Sequence, residues 1–346
     1  MAGGTGGHIF PGLAVAEALR AKGWRVHWLG APASMESRLV PARGFALELV
    51  DFSGVRGKGI KTLLLLPPRL LRAFWQAWQV VRRVQPDVLV GLGGYITFPG
   101  GLMGVACGKP LLLHEQNSVA GMANKVLAAV SARVFTAFPQ VIAKGVCVGN
   151  PLRAEFLQQA EPQVRFAGRS GPLQLLVVGG SLGASVLNSV VPQALALIPA
   201  EQRPNVIHQS GEKQIDALRA HYAASGVAAE LTPFITDTAA AFASADLVLC
   251  RAGASTVTEL AAVGAAAVFV PFPSAVDDHQ TANARFLVDQ GAGWLLPQTD
   301  MTPERLAEFI RTTDRSALLQ RALAAKTMQQ VRATEAVVAA CEELAT

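Results

Sequence analysis

Nine short apolar runs recur along the chain, at residues 25–29, 88–92, 110–114, 133–136, 173–178, 205–208, 229–231, 247–250 and 267–270, and longer helix-patterned segments separate them. Such alternation predicts an α/β fold, with parallel sheets covered by helices on both faces. The chain has 346 residues, whereas a single core rarely grows past roughly 250–300 residues, so two doubly wound domains are expected. Residues 150–171 are poor in β-branched side chains and carry Pro151 and Pro162, which places the boundary there. The domains are expected at 1–153 and 154–327, with an alanine-rich helix at about 328–346 returning to brace the first.

Three glycine clusters stand where a strand would hand over to a helix: Gly3-Gly4-Thr5-Gly6-Gly7, Gly91-Leu92-Gly93-Gly94 and Gly179-Gly180-Ser181-Leu182-Gly183. Glycine there lets backbone amides approach phosphate or sugar oxygens, or simply makes a tight turn. Neither the G-x-G-x-x-G fingerprint nor a Walker loop is complete, so nicotinamide enzymes and P-loop kinases lose their strongest support. Residues 245–284 are more telling. They read as a buried strand, a tight turn at 251–255, a helix, another strand and a polar loop, an arrangement that offers helix N–H groups to a diphosphate. One turn into that helix, Glu259 can accept two hydrogen bonds from a ribose diol. Thr256-x-x-Glu259 also fits a capping box, and the pattern alone leaves both readings open.

Composition narrows the chemistry. Cys107, Cys147, Cys250 and Cys341 lack C-x-x-C spacing, which argues against a zinc site or a disulfide framework. With no Asp-x-Asp motif, neither a metal clamp nor another cofactor is expected. No run approaches the roughly 18–20 apolar residues that span a bilayer. Net charge is +5 and unevenly placed: Arg56, Lys58, Lys61, Arg69, Arg72, Arg82 and Arg83 lie between Asp51 and Asp87 with no acidic residue among them. Leu63 to Leu66, Phe74, Trp75 and Trp78 interleave with them. The stretch from Gly54 to Arg83 therefore suits an anionic membrane surface, at about 1 kcal/mol per cation. The competing reading is a core helix over 68–84, with Leu71, Trp75 and Trp78 inward and Arg72, Gln76 and Arg83 toward solvent. No nucleic-acid module accompanies the charge, so nucleic acid is not an expected partner.

The runs GGTGGHIFPGLAVAEAL, GLGGYITFPG, HEQNSVAGMANK, GNPLR, VVGGSLGA, HQSG, RAGASTVTELAAVG and PFPSAVDDHQTANA, in this order, closely resemble the MurG family of bacterial N-acetylglucosaminyltransferases. The resemblance covers residues 1 to about 285. It implies a GT-B architecture, two Rossmann-like domains facing a cleft. It also implies inverting transfer of N-acetylglucosamine from UDP-N-acetylglucosamine to the 4-hydroxyl of the N-acetylmuramyl sugar of undecaprenyl-linked lipid I, in peptidoglycan synthesis. The implied location is the cytoplasmic face of the bacterial inner membrane, as a peripheral protein.

Matched position by position, the resemblance gives Ser181, Arg153 and the run Ala254, Ser255, Thr256, Val257, Thr258, Glu259 to the donor nucleotide. Ile235 would lie beside uracil, Gln280 would hold sugar hydroxyls, and Asn117 would meet the sugar from across the cleft. The plain alternatives are a solvated loop residue for Gln280 and an Asx-turn for Asn117. A base must take the acceptor proton. His8, ending the first glycine loop, is the first candidate, because an imidazole is the side chain whose ordinary titration range suits the task, and Glu115 is the competing base. A histidine at a helix start can also serve only as a phosphate ligand or a cap. The Thr5, Gly6 and Gly7 amides would serve the acceptor diphosphate or the donor sugar.

One feature departs from the family pattern. The glycine loop should follow a buried strand, and Met1-Ala2 is too short to supply it. The central strand of the first domain is therefore expected to be missing and the chain to be poorly stable. Two rival functions share the architecture: a UDP-N-acetylglucosamine epimerase-like enzyme, and a non-catalytic UDP-sugar-binding subunit.

Overall fold

Each of the nine apolar runs forms a strand in the computed structural model, which describes residues 1–52, 66–180 and 183–345. The chain divides into two compact units, Met1–Arg153 with Val331–Thr346, and Ala154–Gln330. In the first unit, β1 (His27–Gly30) pairs with β2 (Ala46–Leu49), while β3 (Leu89–Gly91), β4 (Leu111–Glu115), β5 (Arg133–Thr136) and β6 (Val146–Cys147) form a separate sheet in that order. The second unit holds one six-stranded sheet, in which β7 (Gln174–Val178), β8 (Asn205–Gln209), β9 (Glu230–Thr232), β10 (Leu247–Cys250), β11 (Ala267–Phe269) and β12 (Trp294–Leu295) follow the order 12-11-10-7-8-9. Every pairing is parallel. β4 and β10 are buried along their whole length, as a parallel strand covered on both faces must be.

Helices cover these sheets. In the first unit α1 (Gly6–Ala21) buries Ile9, Leu13 and Ala16 in one core with Val337, Val338 and Cys341 of the C-terminal helix Ala333–Leu344. Helix α2 (Met35–Ala42) starts on a reciprocal capping box between Ser34 and Ser37.

Helix α3 (Leu66–Val84) corrects the core-helix reading of this stretch. Its buried stripe is Ala73, Ala77 and Val81. Leu71, Trp75 and Trp78 are 69%, 57% and 43% exposed. Small side chains at positions i, i+4 and i+8 let the backbone lie close on helix α4 (Thr97–Ala106), where Phe74 meets Phe98 at 6.0 Å. The bulky face is turned out, beside exposed Arg72, Arg82 and Arg83. Residues 53–65, including Arg56, Lys58 and Lys61, lie outside the described residues. Among the described residues no helix is long and apolar enough to cross a membrane.

At the chain start, the Met1 ammonium donates to Val90 O (2.9 Å) and the Leu92 N–H donates to Met1 O (2.9 Å), one rung of parallel pairing opposite Gly91. Below that rung, among the described residues, no strand lies between β1 and β3. A cavity of about 530 Å³ occupies the space, lined by Val26, Trp28, Leu29, Val88 and Val90. Burial lowers the Met1 ammonium pKa to about 5.

In the second unit, the buried Asp246 carboxylate opens β10 and gathers three segments. Arg169 donates to it at 2.6 Å, the Gln174 N–H at 2.8 Å and Arg315 at 3.1 Å. Burial opposes its ionisation, but these donors outweigh burial and hold the carboxyl below its ordinary range.

Two predictions follow from packing. Asp246→Asn should cost roughly 3 kcal/mol at neutral pH, because two guanidinium groups lose their counter-charge. A depressed carboxyl stabilises above its unfolded pKa and loses that contribution as pH falls through the folded value, so the deficit should narrow below about pH 4. Denaturant melts across pH check both, and a deficit that persists in acid contradicts them.

Candidate active site

The first glycine cluster is shaped from beneath by a buried carboxylate. Glu36 on α2 accepts from Gly4 N (3.1 Å) and Ala31 N (3.2 Å), tying the loop before α1 to the exit of β1. Thr5 then caps α1 from the extended region, with no side-chain bond of its own, and Gly6, Gly7 and His8 form the first turn. The helix thus presents its N-terminus at the carboxyl ends of parallel strands. His8 is half-buried, and its Nδ1 lies 3.0 Å from Gln116 Oε1. It is not the N-cap, which is Thr5.

Two glycines after β3 make this placement possible. Gly93 (φ +87°) and Gly94 (φ +82°) adopt the left-handed region. A Cβ on Gly93 would stand 2.6 Å from His8 Nδ1, and one on Gly94 would overlap the Gly3 carbonyl.

Glu115, at the end of β4, is buried. It accepts from Asn117 N (2.9 Å), Asn117 Nδ2 (3.4 Å), Gly121 N (3.4 Å) and Asn124 Nδ2 (2.7 Å). Asn124 belongs to the helix α5 (Met122–Val130), so this carboxylate folds the β4–α5 loop around itself and aims Asn117. The Asn117 backbone N–H is directed at Glu115. Arg153, the last residue of the first unit, lays its guanidinium 5.5 Å from the Phe10 ring centroid.

In the second unit, β7 ends at Val178 and the loop to helix α6 (Ser185–Ala196) closes through Gly183 N to Gly180 O at 2.9 Å. Ser181 lies outside the described residues. At the end of β10, helix α7 (Ala254–Val263) starts from Gly253 as N-cap. Thr256 is therefore the third helical residue, and the capping-box reading of Thr256 and Glu259 is overturned: the turn leaving β10 sets the helix start one residue after Gly253. Ala254, Val257 and Thr258 are buried, and the Thr258 hydroxyl donates back to Ala254 O and Ser255 O. The backbone N–H groups that the helix start leaves outside its own ladder belong to Ala254, Ser255 and Thr256, since the Val257 N–H already donates to Gly253 O, while the half-buried Ser255, Thr256 and Glu259 offer side chains.

Arg251 fixes this turn by donating to Val270 O and Pro271 O, both at 3.0 Å, and to Gln298 Oε1 at 2.7 Å. Gln280, near the start of helix α8 (His279–Val288), accepts from Phe272 N at 2.9 Å, which orients its amide and removes the solvated-loop reading. Asp277 and Asp278 just before it sit at φ +52° and +50°, a left-handed pair of the kind that concentrates at ligand sites. Ile235 is half-buried in the loop after β9.

The candidate residues therefore fall into two sets. Thr5, Gly6, Gly7, His8, Glu115, Asn117 and Arg153 belong to the first unit; Ile235, the run from Ala254 to Glu259, and Gln280 belong to the second. Sequence inspection does not single out Glu36, His114 or Gln116. The signal was present only in that His114 and Gln116 flank Glu115 within HEQN.

Residues 1–136 match the glycosyltransferase family 28 N-terminal domain, and residues 174–339 match the family 28 C-terminal domain. A UDP-N-acetylglucosamine–N-acetylmuramyl-(pentapeptide) pyrophosphoryl-undecaprenol N-acetylglucosamine transferase of Paracidovorax citrulli is 74% identical over 344 residues, 99% of this chain and 97% of the relative. The protein of the same name from Polaromonas sp. strain JS666 is 73% identical over 350 residues, 100% of this chain and 90% of the relative. The crystal structure of Acinetobacter baumannii MurG superposes with a TM-score of 0.83 at 41% identity, covering 99% of this chain and 98% of that one. The fold is GT-B, with two Rossmann-like domains. On identity of this extent across both units, the chain belongs to the MurG family of N-acetylglucosamine transferases.

Proposed function

We infer that this chain transfers N-acetylglucosamine from UDP-N-acetylglucosamine to the N-acetylmuramyl-pentapeptide diphosphoryl-undecaprenol acceptor, converting lipid I to lipid II in peptidoglycan synthesis. It is a hexosyltransferase. The observation that carries the reading is the 74% identity, over nearly the whole chain, to a relative named for this reaction.

The roles of individual residues are part of the proposal. His8 takes the proton of the acceptor 4-hydroxyl at Nε2 as that oxygen attacks the anomeric carbon, and UDP leaves from the opposite face, so the configuration inverts. Glu115, with four donors around its carboxylate, positions Asn117 instead of acting as the base. The Thr5, Gly6 and Gly7 amides at the start of α1 face the acceptor diphosphate or the transferred sugar.

The amide groups opening α7 and the Ser181 loop stabilise the developing negative charge on the departing diphosphate, together with Arg153, in place of a metal clamp. Glu259 holds the ribose hydroxyls, Gln280 the sugar hydroxyls, and Ile235 packs on uracil.

The membrane-facing element is α3. Its exposed Leu71, Trp75 and Trp78 next to Arg72 and Arg82 support binding to an anionic surface, where aromatic rings sit at headgroup level and cations add electrostatic attraction. On this reading the acceptor-binding unit lies against the cytoplasmic leaflet, where lipid I presents its sugar.

Paired variants test the division of labour. His8→Ala should lower kcat by roughly 10²-fold or more while leaving UDP affinity near wild type, as loss of a general base does. Glu259→Ala should weaken UDP binding and raise the donor KM without lowering the melting temperature. If His8→Ala loses UDP binding and keeps its turnover number, or if Glu259→Ala unfolds the chain with UDP affinity intact, the assignments are wrong.

A further inference from the structure

Behind His8 runs a buried hydrogen-bonded chain whose polarity is set at its far end. His114 is fully buried, and its Nε2 lies 2.8 Å from Gly149 O. A carbonyl oxygen only accepts, so that nitrogen carries the hydrogen. Burial pushes the His114 pKa down to about 4; the bond to Gly149 O opposes this and is outweighed, and the nearby His8 acts in the same direction as burial. His114 is therefore neutral at physiological pH, and its Nδ1 presents a lone pair.

Gln116, also buried, places Nε2 at 3.2 Å from that lone pair, so its NH₂ group donates there. Reversing the amide would set carbonyl oxygen against lone pair, which fixes the orientation of the side chain. Its Oε1 must then face His8 Nδ1, 3.0 Å away. An amide oxygen only accepts, so His8 Nδ1 bears hydrogen, and in the neutral ring the free lone pair is on Nε2. Gly93 leaves the space for this contact: a Cβ there would lie 2.6 Å from His8 Nδ1 and 3.1 Å from Gln116 Oε1.

We propose that Gln116 and His114 are positioning residues that lock His8 in the Nδ1–H tautomer through the chain Gly149 O, His114, Gln116, His8. The inference rests on the reading of His8 as the base and deepens it. The locked tautomer is the one whose Nε2 can accept a proton from the acceptor hydroxyl. When it does, Oε1 continues to accept from Nδ1–H, so no partner has to turn over during the step. A carboxylate in this position would do the same while adding charge; the amide sets the tautomer without it, and its own orientation is supplied by His114.

The test is nitrogen NMR on the full chain labelled with ¹⁵N-histidine, with the His8 signals identified by their loss in His8→Gln. Wild-type His8 is expected to show a protonated, pyrrole-type Nδ1 and a lone-pair, pyridine-type Nε2 in its neutral form. Gln116→Leu, which keeps the bulk and removes both ends of the amide, should shift His8 toward the Nε2–H form that prevails for histidine in water. It should also lower kcat by about 10-fold, the scale of one neutral hydrogen bond, with the donor KM unchanged.

Gln116→Glu keeps an oxygen facing His8 and should restore the Nδ1–H tautomer and most of the turnover, while His114 gains a proton. A wild-type His8 found mainly as Nε2–H, a Gln116→Leu protein with the wild-type tautomer, or one with the wild-type kcat overturns the proposal. Loss of the base role for His8 itself would show separately, as full turnover in His8→Ala.

Discussion

The first unit depends on a backbone contact between two glycine loops. Gly94, in the left-handed region, approaches Gly3 so closely that any side chain would overlap the Gly3 carbonyl, and Gly93 leaves the same kind of room for the His8 ring. The start of α1, the ring of His8 and the Gln116 amide meet there because the intervening Cβ atoms are absent. From below, the two Glu36 oxygens satisfy Gly4 N and Ala31 N, so the loop is held by bonds to its backbone and needs no side chains of its own. A mobile loop could not hold a histidine nitrogen within hydrogen-bond distance of a buried amide.

The second unit solves a different problem by related means. A leaving diphosphate calls for donors that are already oriented when charge develops, and helix N–H groups at the ends of buried parallel strands meet that need at no reorganisation cost. Arg251 and Gln280 do their work on backbone: one ties the turn after β10 to the segment after β11, the other anchors Phe272. Asp246 sits at the opposite, amino end of β10 and binds Arg169, Gln174 and Arg315, so the strand that carries the turn proposed to meet the diphosphate is pinned at its base.

The fold was legible in the sequence where burial dictates composition. Strands such as Leu111–Glu115 and Leu247–Cys250 are covered on both faces and therefore read as continuous apolar runs. Ala46–Leu49 was not legible, because it is half-exposed and reads as ALEL, and Val146–Cys147 and Trp294–Leu295 are too short to leave a pattern. In α3 the sequence offers two stripes, one bulky at 71, 75 and 78 and one small at 73, 77 and 81. Hydrophobicity favours the first, but close packing on α4 selects the second. For Thr256 and Glu259 the local pattern fits a cap, yet the chain's exit from β10 decides where the helix begins. The His8 to Gln116 contact spans 108 residues, a distance at which side-chain partners are invisible to any local pattern.

The central claim is that the glycine-loop base of one unit and the helix-bound UDP of the other carry out a glycosyl transfer that depends on the lipid acceptor. The most direct test is UDP release from UDP-N-acetylglucosamine in EDTA, with and without a short-chain lipid I analogue. The account predicts release only with the acceptor, together with a β-linked disaccharide product. Equal release without the acceptor, or none while UDP still binds, would contradict it.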